Sequence, residues 1–233
     1  MTSLLPSGEK GMIDTTLVDT WLFDLDDTLY PAETRLMDLI RERITGFVMR
    51  ITGLSHDEAR RTQRAWFEAH GASLPGLLAS HDISVAEFLD EIHDVPLDCV
   101  PPDPVLDEIL ARLPGRKLVF TNGSSGHAER VLERIGVAHH FEAVFHIESA
   151  NMLPKPARET YDLMIGTFDI QPDRSVFFED TERNLETAAD LGMTTVLVGP
   201  HALACEAPFV HHRAPALVPF LTGCRVRLAG AAA

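Results

Sequence analysis

Short apolar segments recur along this chain at intervals that suit a sheet of buried strands. They are rich in Val, Leu, Ile and Phe, and they lack the strict alternation of a half-exposed strand. Such segments are typical of strands that are buried on both faces. The pattern predicts five strands, at residues 21–23, 117–120, 143–147, 175–178 and 194–198.

Segments with helical spacing of apolar residues separate the strands from residue 103 onward. Apolar side chains recur every three or four positions in the segments 103–113, 126–135, 156–168 and 182–191. Gly136 and Gly192 stand where the C-caps of two of these helices would fall. Strands that alternate with helices predict an α/β fold with right-handed crossovers, in which a doubly wound, Rossmann-like parallel sheet forms the core.

The stretch 31–102 interrupts this alternation and contains no convincing strand. Its pattern predicts helices at Pro31–Arg50, Ser55–Gly71 and Ser84–Asp94, and the last two begin with capping boxes. Prolines mark both ends of the stretch. We therefore expect a core built from residues 15–30 and 103–233, with a helical cap domain, residues 31–102, inserted after the first strand.

Composition and charge narrow the class of protein. The 233 residues carry a net charge of −15, which disfavours a nucleic-acid polymer or an anionic membrane surface as the main partner. The three cysteines, Cys99, Cys205 and Cys224, are widely spaced, so neither a disulfide framework nor a zinc site is expected. No apolar run approaches the roughly 20 residues needed to span a bilayer. These features favour a cytoplasmic protein, a monomer or small homo-oligomer without a membrane partner.

Polar side chains that can do chemistry follow four of the five predicted strands. They are the segment Asp24-Leu25-Asp26-Asp27-Thr28, the segment Thr121-Asn122-Gly123, Lys155 several residues after the third strand, and the pair Glu179-Asp180. Ligands of parallel α/β sheets bind beyond the carboxyl ends of the strands. We therefore expect these groups to meet in one cleft at that edge of the sheet.

This set of side chains suits phosphoryl transfer to a carboxylate. The reaction needs an in-line nucleophile, a hard cation on the phosphoryl oxygens, and donors for the remaining oxygens. Asp24 can attack phosphorus and form an aspartyl-phosphate. Asp24 and Asp180 offer the oxygen ligands that Mg²⁺ prefers. The sequence therefore predicts a Mg²⁺-dependent enzyme that acts on a small phosphorylated metabolite.

The order and spacing of these groups resemble the four motifs of the haloacid dehalogenase superfamily. The first, Asp-x-Asp-x-Thr, stands as Asp24 to Thr28, and Thr121, Lys155 and the acidic pair 179–180 stand for the others. The resemblance implies that Asp24 attacks phosphorus and that Asp26 protonates the leaving oxygen and later activates water. It also implies that Lys155 neutralises charge between Asp24 and the phosphoryl group.

The same resemblance implies the ligands of the metal and of the phosphate. Asp24, Asp180 and the backbone carbonyl of Asp26 would bind Mg²⁺, with Glu179 nearby through water. Thr121 and the backbone of Asn122 and Gly123 would hold phosphate oxygens. Asn184, four residues past Asp180, is interpreted as a brace for this loop or for the metal's surroundings.

Asp26 and the cap point to a branch of the superfamily. Dehalogenases have no acid two positions after the nucleophile, so Asp26 favours hydrolysis or transfer of a phosphate ester. The segment Phe23–Pro31 and the cap segment 70–94 resemble the pyrimidine 5′-nucleotidases. That resemblance implies pyrimidine nucleoside 5′-monophosphates as substrates. Relatives often have Tyr-Gly where this chain has His70-Gly71, so His70 becomes a candidate residue of the cap pocket.

Three alternative functions stay open at this stage. The nearest is a phosphatase of another small metabolite, such as a sugar phosphate or phosphoglycolate. A phosphomutase would use the same nucleophile but protect its aspartyl-phosphate from water. A binding module without activity would keep the fold alone, and the complete set Asp24, Asp26, Lys155 and Asp180 disfavours it.

Overall fold

A single parallel sheet organises the structure, a computed structural model that describes residues 13–224. The strand order is β3-β2-β1-β4-β5-β6, and every neighbouring pair runs parallel. The strands are β1 Thr20–Phe23, β2 Arg116–Phe120, β3 Ala143–Phe145, β4 Ser175–Glu179, β5 Thr194–Val198 and β6 His212–Ala214. The predicted doubly wound α/β fold is confirmed. Residues 1–12 and 225–233, the latter within the predicted core range, lie outside the described residues.

The central strands are apolar on both faces because helices cover both faces of the sheet. Successive side chains of a strand point to opposite sides. Trp21 and Phe23 of β1 pack on one side, where the Phe23 ring stacks on that of Phe178 with centroids 4.9 Å apart. Leu22 and Phe177 pack into a separate apolar cluster on the other side. This two-sided burial explains why the strands read as continuous apolar runs.

Four helices lie within the stretch 31–102, where the sequence predicts an inserted cap. They are α1 Leu36–Thr52, α2 His56–His70, α3 Leu74–Ser80 and α4 Val85–His93. The first begins five residues later than predicted, because Ala32–Thr34 form a 3₁₀ turn and Arg35 has the left-handed φ of 61°. The capping box of Ser55 with Glu58 is present at the start of α2. Helix α3 was not predicted, since its seven residues are too few to show a helical period.

Five further helices pack on the sheet. They are α5 Pro104–Arg112, α6 Ser125–Ile135, α7 Arg158–Phe168, α8 Glu182–Asp190 and α9 Leu217–Gly223. The first four match the predicted segments to within a few residues. Strand β6 and helix α9 were not predicted, because three strand residues and a seven-residue helix carry little pattern of their own. No helix among residues 13–224 combines the length and apolar character of a membrane span.

The insertion has an apolar core of its own, built mainly from α1, α3 and α4. Phe47 and Phe88 meet edge to face with ring centroids 5.0 Å apart, and Leu77 and Ile92 are buried beside them. Ile147, from the loop after β3, joins this cluster and ties it to the sheet. The insertion is therefore a packed unit with its own core rather than a loose loop.

Two glycines of the insertion make a matched test of this packing. A Cβ on Gly76 would overlap the indole ring of Trp66, whereas a Cβ on Gly46 would meet nothing within 4 Å. We expect Gly76→Ala to lower the free energy of unfolding by about 1–3 kcal/mol through overpacking. We expect Gly46→Ala, in the exposed face of α1, to raise it by about 0.5–1 kcal/mol. Urea denaturation of both variants measures the free energy of unfolding. An increase for Gly76→Ala would show that the Trp66 ring moves aside at little cost.

Candidate active site

A cleft of about 940 Å³ lies between the carboxyl edge of the sheet and the helical insertion. Apart from Leu25 and Thr28, the residues that the sequence singled out at strand ends line it. They are Asp24, Asp26, Asp27, Thr121, Asn122, Gly123, Lys155, Glu179 and Asp180, and Asn184 from α8 joins them. The parallel sheet thus brings the four separated motifs into one site, as expected.

Strand register places these groups at one level. Phe23 of β1 is the partner of Val119 on one side and of Phe178 on the other. The next residues along are therefore Asp24, Phe120 and Glu179, at the same height above the sheet. The backbone N–H of Asp24 donates to the carbonyl of Phe178 at 2.9 Å, which extends the ladder to the site itself.

Lys155 places a positive charge at the sheet edge of the cleft and is almost fully buried, with 1% of its surface exposed. Its Nζ donates to Asp24 Oδ1, Glu179 Oε2 and the carbonyl of Phe120, each at 2.7 Å. Three acceptors satisfy all three N–H groups of an ammonium. Burial alone would lower the pKa of Lys155, but the two carboxylates outweigh it and raise that pKa. Lys155 therefore stays charged beside Asp24.

Asn122 holds the Lys155 loop in place. Its Oδ1 accepts from the Lys155 backbone N–H at 2.8 Å, and its Nδ2 donates to the Lys155 carbonyl at 3.2 Å. Both ends of the Asn122 side chain are therefore used by the Lys155 loop, and only the Asn122 backbone is available to bind phosphate. Beside it the Gly123 N–H donates to Thr121 Oγ1 at 2.9 Å, and helix α6 begins directly after Ser124. A helix N-terminus beside this loop favours an anion.

Three carboxylates crowd the site around Asp24. One oxygen each of Asp24, Glu179 and Asp180 lies within 4.8 Å of the others. Burial, and then the charge of Glu179, raises the pKa of Asp24 to about 8 in spite of Lys155. Burial, followed by Glu179 and Asp24, also raises the pKa of Asp180 well above its usual value. Such a cluster needs positive charge in place of protons to remain ionised.

The residues present fit a magnesium ion. The atoms that would bind the ion are hard carboxylate oxygens, which suit Mg²⁺ better than a softer transition metal. Asn184 Oδ1 is buried on the cleft wall and has no hydrogen-bond partner in the structure. A buried carbonyl oxygen without a donor is costly, and a water of a hydrated cation would supply one. Asn184 thus suits the bracing role expected for it.

Asp26 is held by two donors on one oxygen. Its Oδ1 accepts from the Tyr30 hydroxyl at 2.6 Å and from His127 Nε2 at 2.8 Å, with the imidazole proton assigned to Nε2 from this contact. Burial would raise the pKa of Asp26, but the His127 charge and both hydrogen bonds lower it overall. Neither partner was predicted: Tyr30 directly precedes the predicted insertion, and His127 falls within a predicted helix.

The insertion closes the other side of the cleft through direct contacts with the core. Gly71, at the C-cap of α2, lies so close to the Lys155 carbonyl and Pro156 that no Cβ would fit. Arg183 of α8 donates to the carbonyls of Phe67 and Glu68 at 2.9 and 3.0 Å. His70, the residue suggested for the cap pocket, is exposed and is not among the lining residues. Its backbone neighbour Gly71 forms the wall instead, because the α2 helix ends there.

Comparison with known proteins places the chain in a family. Residues 18–192 match the model of the haloacid dehalogenase-like hydrolases. Phosphate metabolism protein 8 of Saccharomyces cerevisiae is 29% identical over 195 residues, which cover 76% of this chain and 60% of that protein. Fructose-1-phosphate phosphatase YqaB of Escherichia coli is 28% identical over 182 residues, covering 75% and 93%. The chain thus spans about 60% of the length of the yeast relative.

Solved structures show the same fold at low sequence identity. A HAD phosphatase from Thermococcus onnurineus aligns with a TM-score of 0.59 and 20% identity, over 90% of this chain and 100% of that one. L-2-haloacid dehalogenase from Xanthobacter autotrophicus aligns with a TM-score of 0.53 and 17% identity, over 88% and 97%. These likenesses concern the fold, whereas the family model covers most of the sequence and all four motifs. The protein therefore belongs to the haloacid dehalogenase-like hydrolase family.

Proposed function

We propose that the protein is a Mg²⁺-dependent phosphatase that hydrolyses phosphate monoesters through an aspartyl-phosphate on Asp24. The observation that carries this proposal is the pairing of the buried Asp24 with the Lys155 ammonium, 2.7 Å away, in a cleft that also holds Asp26. Two of the relatives have names or titles that describe phosphatases. Mg²⁺ held by Asp24, Asp180 and the Asp26 carbonyl would neutralise charge on the phosphoryl oxygens.

The first step transfers the phosphoryl group to the enzyme. The Asp24 carboxylate attacks phosphorus, and the bond from phosphorus to the leaving oxygen breaks. That oxygen keeps the electron pair and takes a proton from Asp26, so an alcohol departs. A phosphate dianion beside Asp26 favours the proton on its carboxyl group, because like charges raise the pKa. Lys155 neutralises charge between Asp24 and the phosphoryl group.

The second step returns the enzyme to its starting state. Asp26, now a carboxylate, takes a proton from a water molecule whose oxygen attacks the phosphorus of the aspartyl-phosphate. The bond from phosphorus to the Asp24 oxygen breaks, and inorganic phosphate leaves. Asp26 ends this step protonated, ready for the next substrate. The same residue thus serves both steps, as an acid in the first and as a base in the second. This is why the reaction needs an acid two positions after the nucleophile.

For the substrate, we propose pyrimidine nucleoside 5′-monophosphates. Besides the resemblance of the cap segment, the cleft is large enough for a nucleotide, and its outer wall carries apolar side chains among charged ones. The insertion supplies Ile40, Ile44, Phe67, Leu74 and Phe88 to that wall, which suits a flat base. Thr45 and Gln63, hydrogen-bonded to each other at 2.8 Å, add polar groups beside it.

A sugar phosphate is the second candidate substrate. A relative aligned over 93% of its own length bears the name of a fructose-1-phosphate phosphatase. The polar pair Thr45 and Gln63 would suit sugar hydroxyls as well as the edge of a base. Phosphoglycolate is a further candidate substrate. A phosphomutase reaction and binding without turnover are the alternatives that absence of phosphate release with every substrate would favour.

A substrate panel tests the nucleotidase proposal. Phosphate release is measured with UMP, CMP, dUMP, TMP, AMP, GMP, fructose 1-phosphate and phosphoglycolate, with and without Mg²⁺. We expect kcat/KM for pyrimidine nucleotides to exceed the others by about tenfold or more, which corresponds to about 1.4 kcal/mol of selective contact. Asp24→Asn should abolish release with every substrate. Preference for a sugar phosphate would keep the mechanism and replace the substrate, and activity in Asp24→Asn would refute the mechanism.

The role of Asp26 predicts a burst in the variant Asp26→Asn. With p-nitrophenyl phosphate the leaving group needs no proton, so Asp24 can still be phosphorylated. Breakdown of the intermediate lacks its base, and kcat should fall by about 10²–10⁴-fold. Rapid mixing should release about one p-nitrophenolate per active site before slow turnover. Steady release at the wild-type rate would contradict the assigned role.

A further inference from the structure

His127 is buried at the active site, and the family motifs give it no role. It lies in the first turn of α6, and its side chain is fully shielded from solvent. Its Nε2 lies 2.8 Å from Asp26 Oδ1, while its Nδ1 has no hydrogen-bond partner in the structure. Within the described residues, the polar contact that compensates the burial of this imidazole is therefore the one with Asp26.

The two donors to Asp26 make its two carboxyl oxygens different, because both bind the same one. Tyr30 and His127 both bind Oδ1, and a carboxyl group whose one oxygen is fixed from two directions cannot rotate without losing both bonds. The structure gives Oδ2 no such partner, and Oδ2 lies 3.6 Å from the place where a Cβ on Gly123 would stand. Oδ2 thus faces the loop 121–123 that is expected to hold the phosphate.

The insertion holds His127 in turn. His93, the last residue of α4, stacks on the His127 ring with centroids 4.4 Å apart and planes 15° from parallel. Ser124 Oγ lies 2.9 Å from His93 Nδ1 and accepts from the His127 backbone N–H at 3.3 Å. Arg130, one turn after His127, donates to the carbonyls of His93 and Val95 at 2.9 and 2.8 Å. The position of His127 is therefore fixed by both the core and the end of the cap.

We propose that His127 is a positioning residue that, together with Tyr30, orients Asp26 so that Oδ2 exchanges the proton with the leaving group and the water. His127 touches neither phosphorus nor the leaving oxygen in this scheme; it acts through Asp26. The inference rests on the proposed function, in which Asp26 is the acid and base of the reaction.

The test compares His127→Leu, His127→Gln and a matched control. His127→Leu removes the donor, and His127→Gln keeps an N–H at a similar reach. His140→Leu is the control, because His140 Nε2 also bonds an aspartate, Asp107, at 2.7 Å and its ring also packs on a histidine, His139, at 4.0 Å. That group does not line the cleft, so the control should keep wild-type kinetics.

The expected result is a selective loss of the proton-transfer steps. We expect His127→Leu to lower kcat by about 10- to 100-fold with KM and the Mg²⁺ activation constant within about threefold, and His127→Gln to restore most of it. The loss in kcat/KM should be greater for the best substrate of the panel than for p-nitrophenyl phosphate, whose leaving group needs no proton. If His127 acted in packing alone, kcat/KM would fall equally with both substrates, and His127→Gln would not restore it.

A double-mutant cycle separates this inference from the proposed function. His127→Leu added to Asp26→Asn should cost nothing further, because His127 acts only through Asp26. Additive losses, or wild-type kinetics in His127→Leu, would overturn the positioning role while Asp24→Asn remains inactive and Asp26→Asn remains slow. Turnover in Asp24→Asn would instead refute the proposed function. If His127→Leu does not fold, the same cycle can be made at the other donor to Asp26. It then compares Tyr30→Phe alone with Tyr30→Phe combined with Asp26→Asn.

Discussion

The buried ammonium of Lys155 is the interaction on which the active site depends. It joins the ends of three strands, since it bonds Asp24 after β1, the Phe120 carbonyl of β2 and Glu179 of β4. A charge at this depth is tolerated only because every N–H has an acceptor and two acceptors are carboxylates. Removing it would leave the buried acids Asp24 and Glu179 side by side without a cation, so this contact stabilises the site and favours the ionised form of Asp24.

This constraint explains why the surrounding loops are so firmly tied. Asn122 uses both ends of its amide to fix the Lys155 backbone, and Gly71 of the insertion packs against the same loop. Arg183 holds the end of α2 from the core side. The insertion thus meets the core at the loop that carries Lys155. Enclosure of this kind limits water and strengthens the electrostatic interactions inside the cleft.

The two aspartates of the first motif have opposite surroundings, and this difference suits their proposed roles. Asp24 is crowded by Glu179 and needs cations, from Lys155 and from a metal, to stay ionised. Asp26 instead has two donors of its own, Tyr30 and His127, and both bind the same oxygen of its carboxyl group. Two carboxylates two residues apart can therefore act as nucleophile and as acid–base because different neighbours surround them.

The sequence by itself determined the α/β class, and it predicted the helical insertion and the set of motif residues that meet at one edge of the sheet. It could do so because buried strands need continuous apolar runs, and because parallel strands bring whatever follows them to one edge. It did not reveal α3, β6 or α9, whose segments are too short for a period to show. Only the tertiary structure decided that His127 meets Asp26 across 101 positions of sequence, and that His70 stays outside the cleft. Such contacts depend on how helices pack against the sheet, which no local pattern of residues encodes.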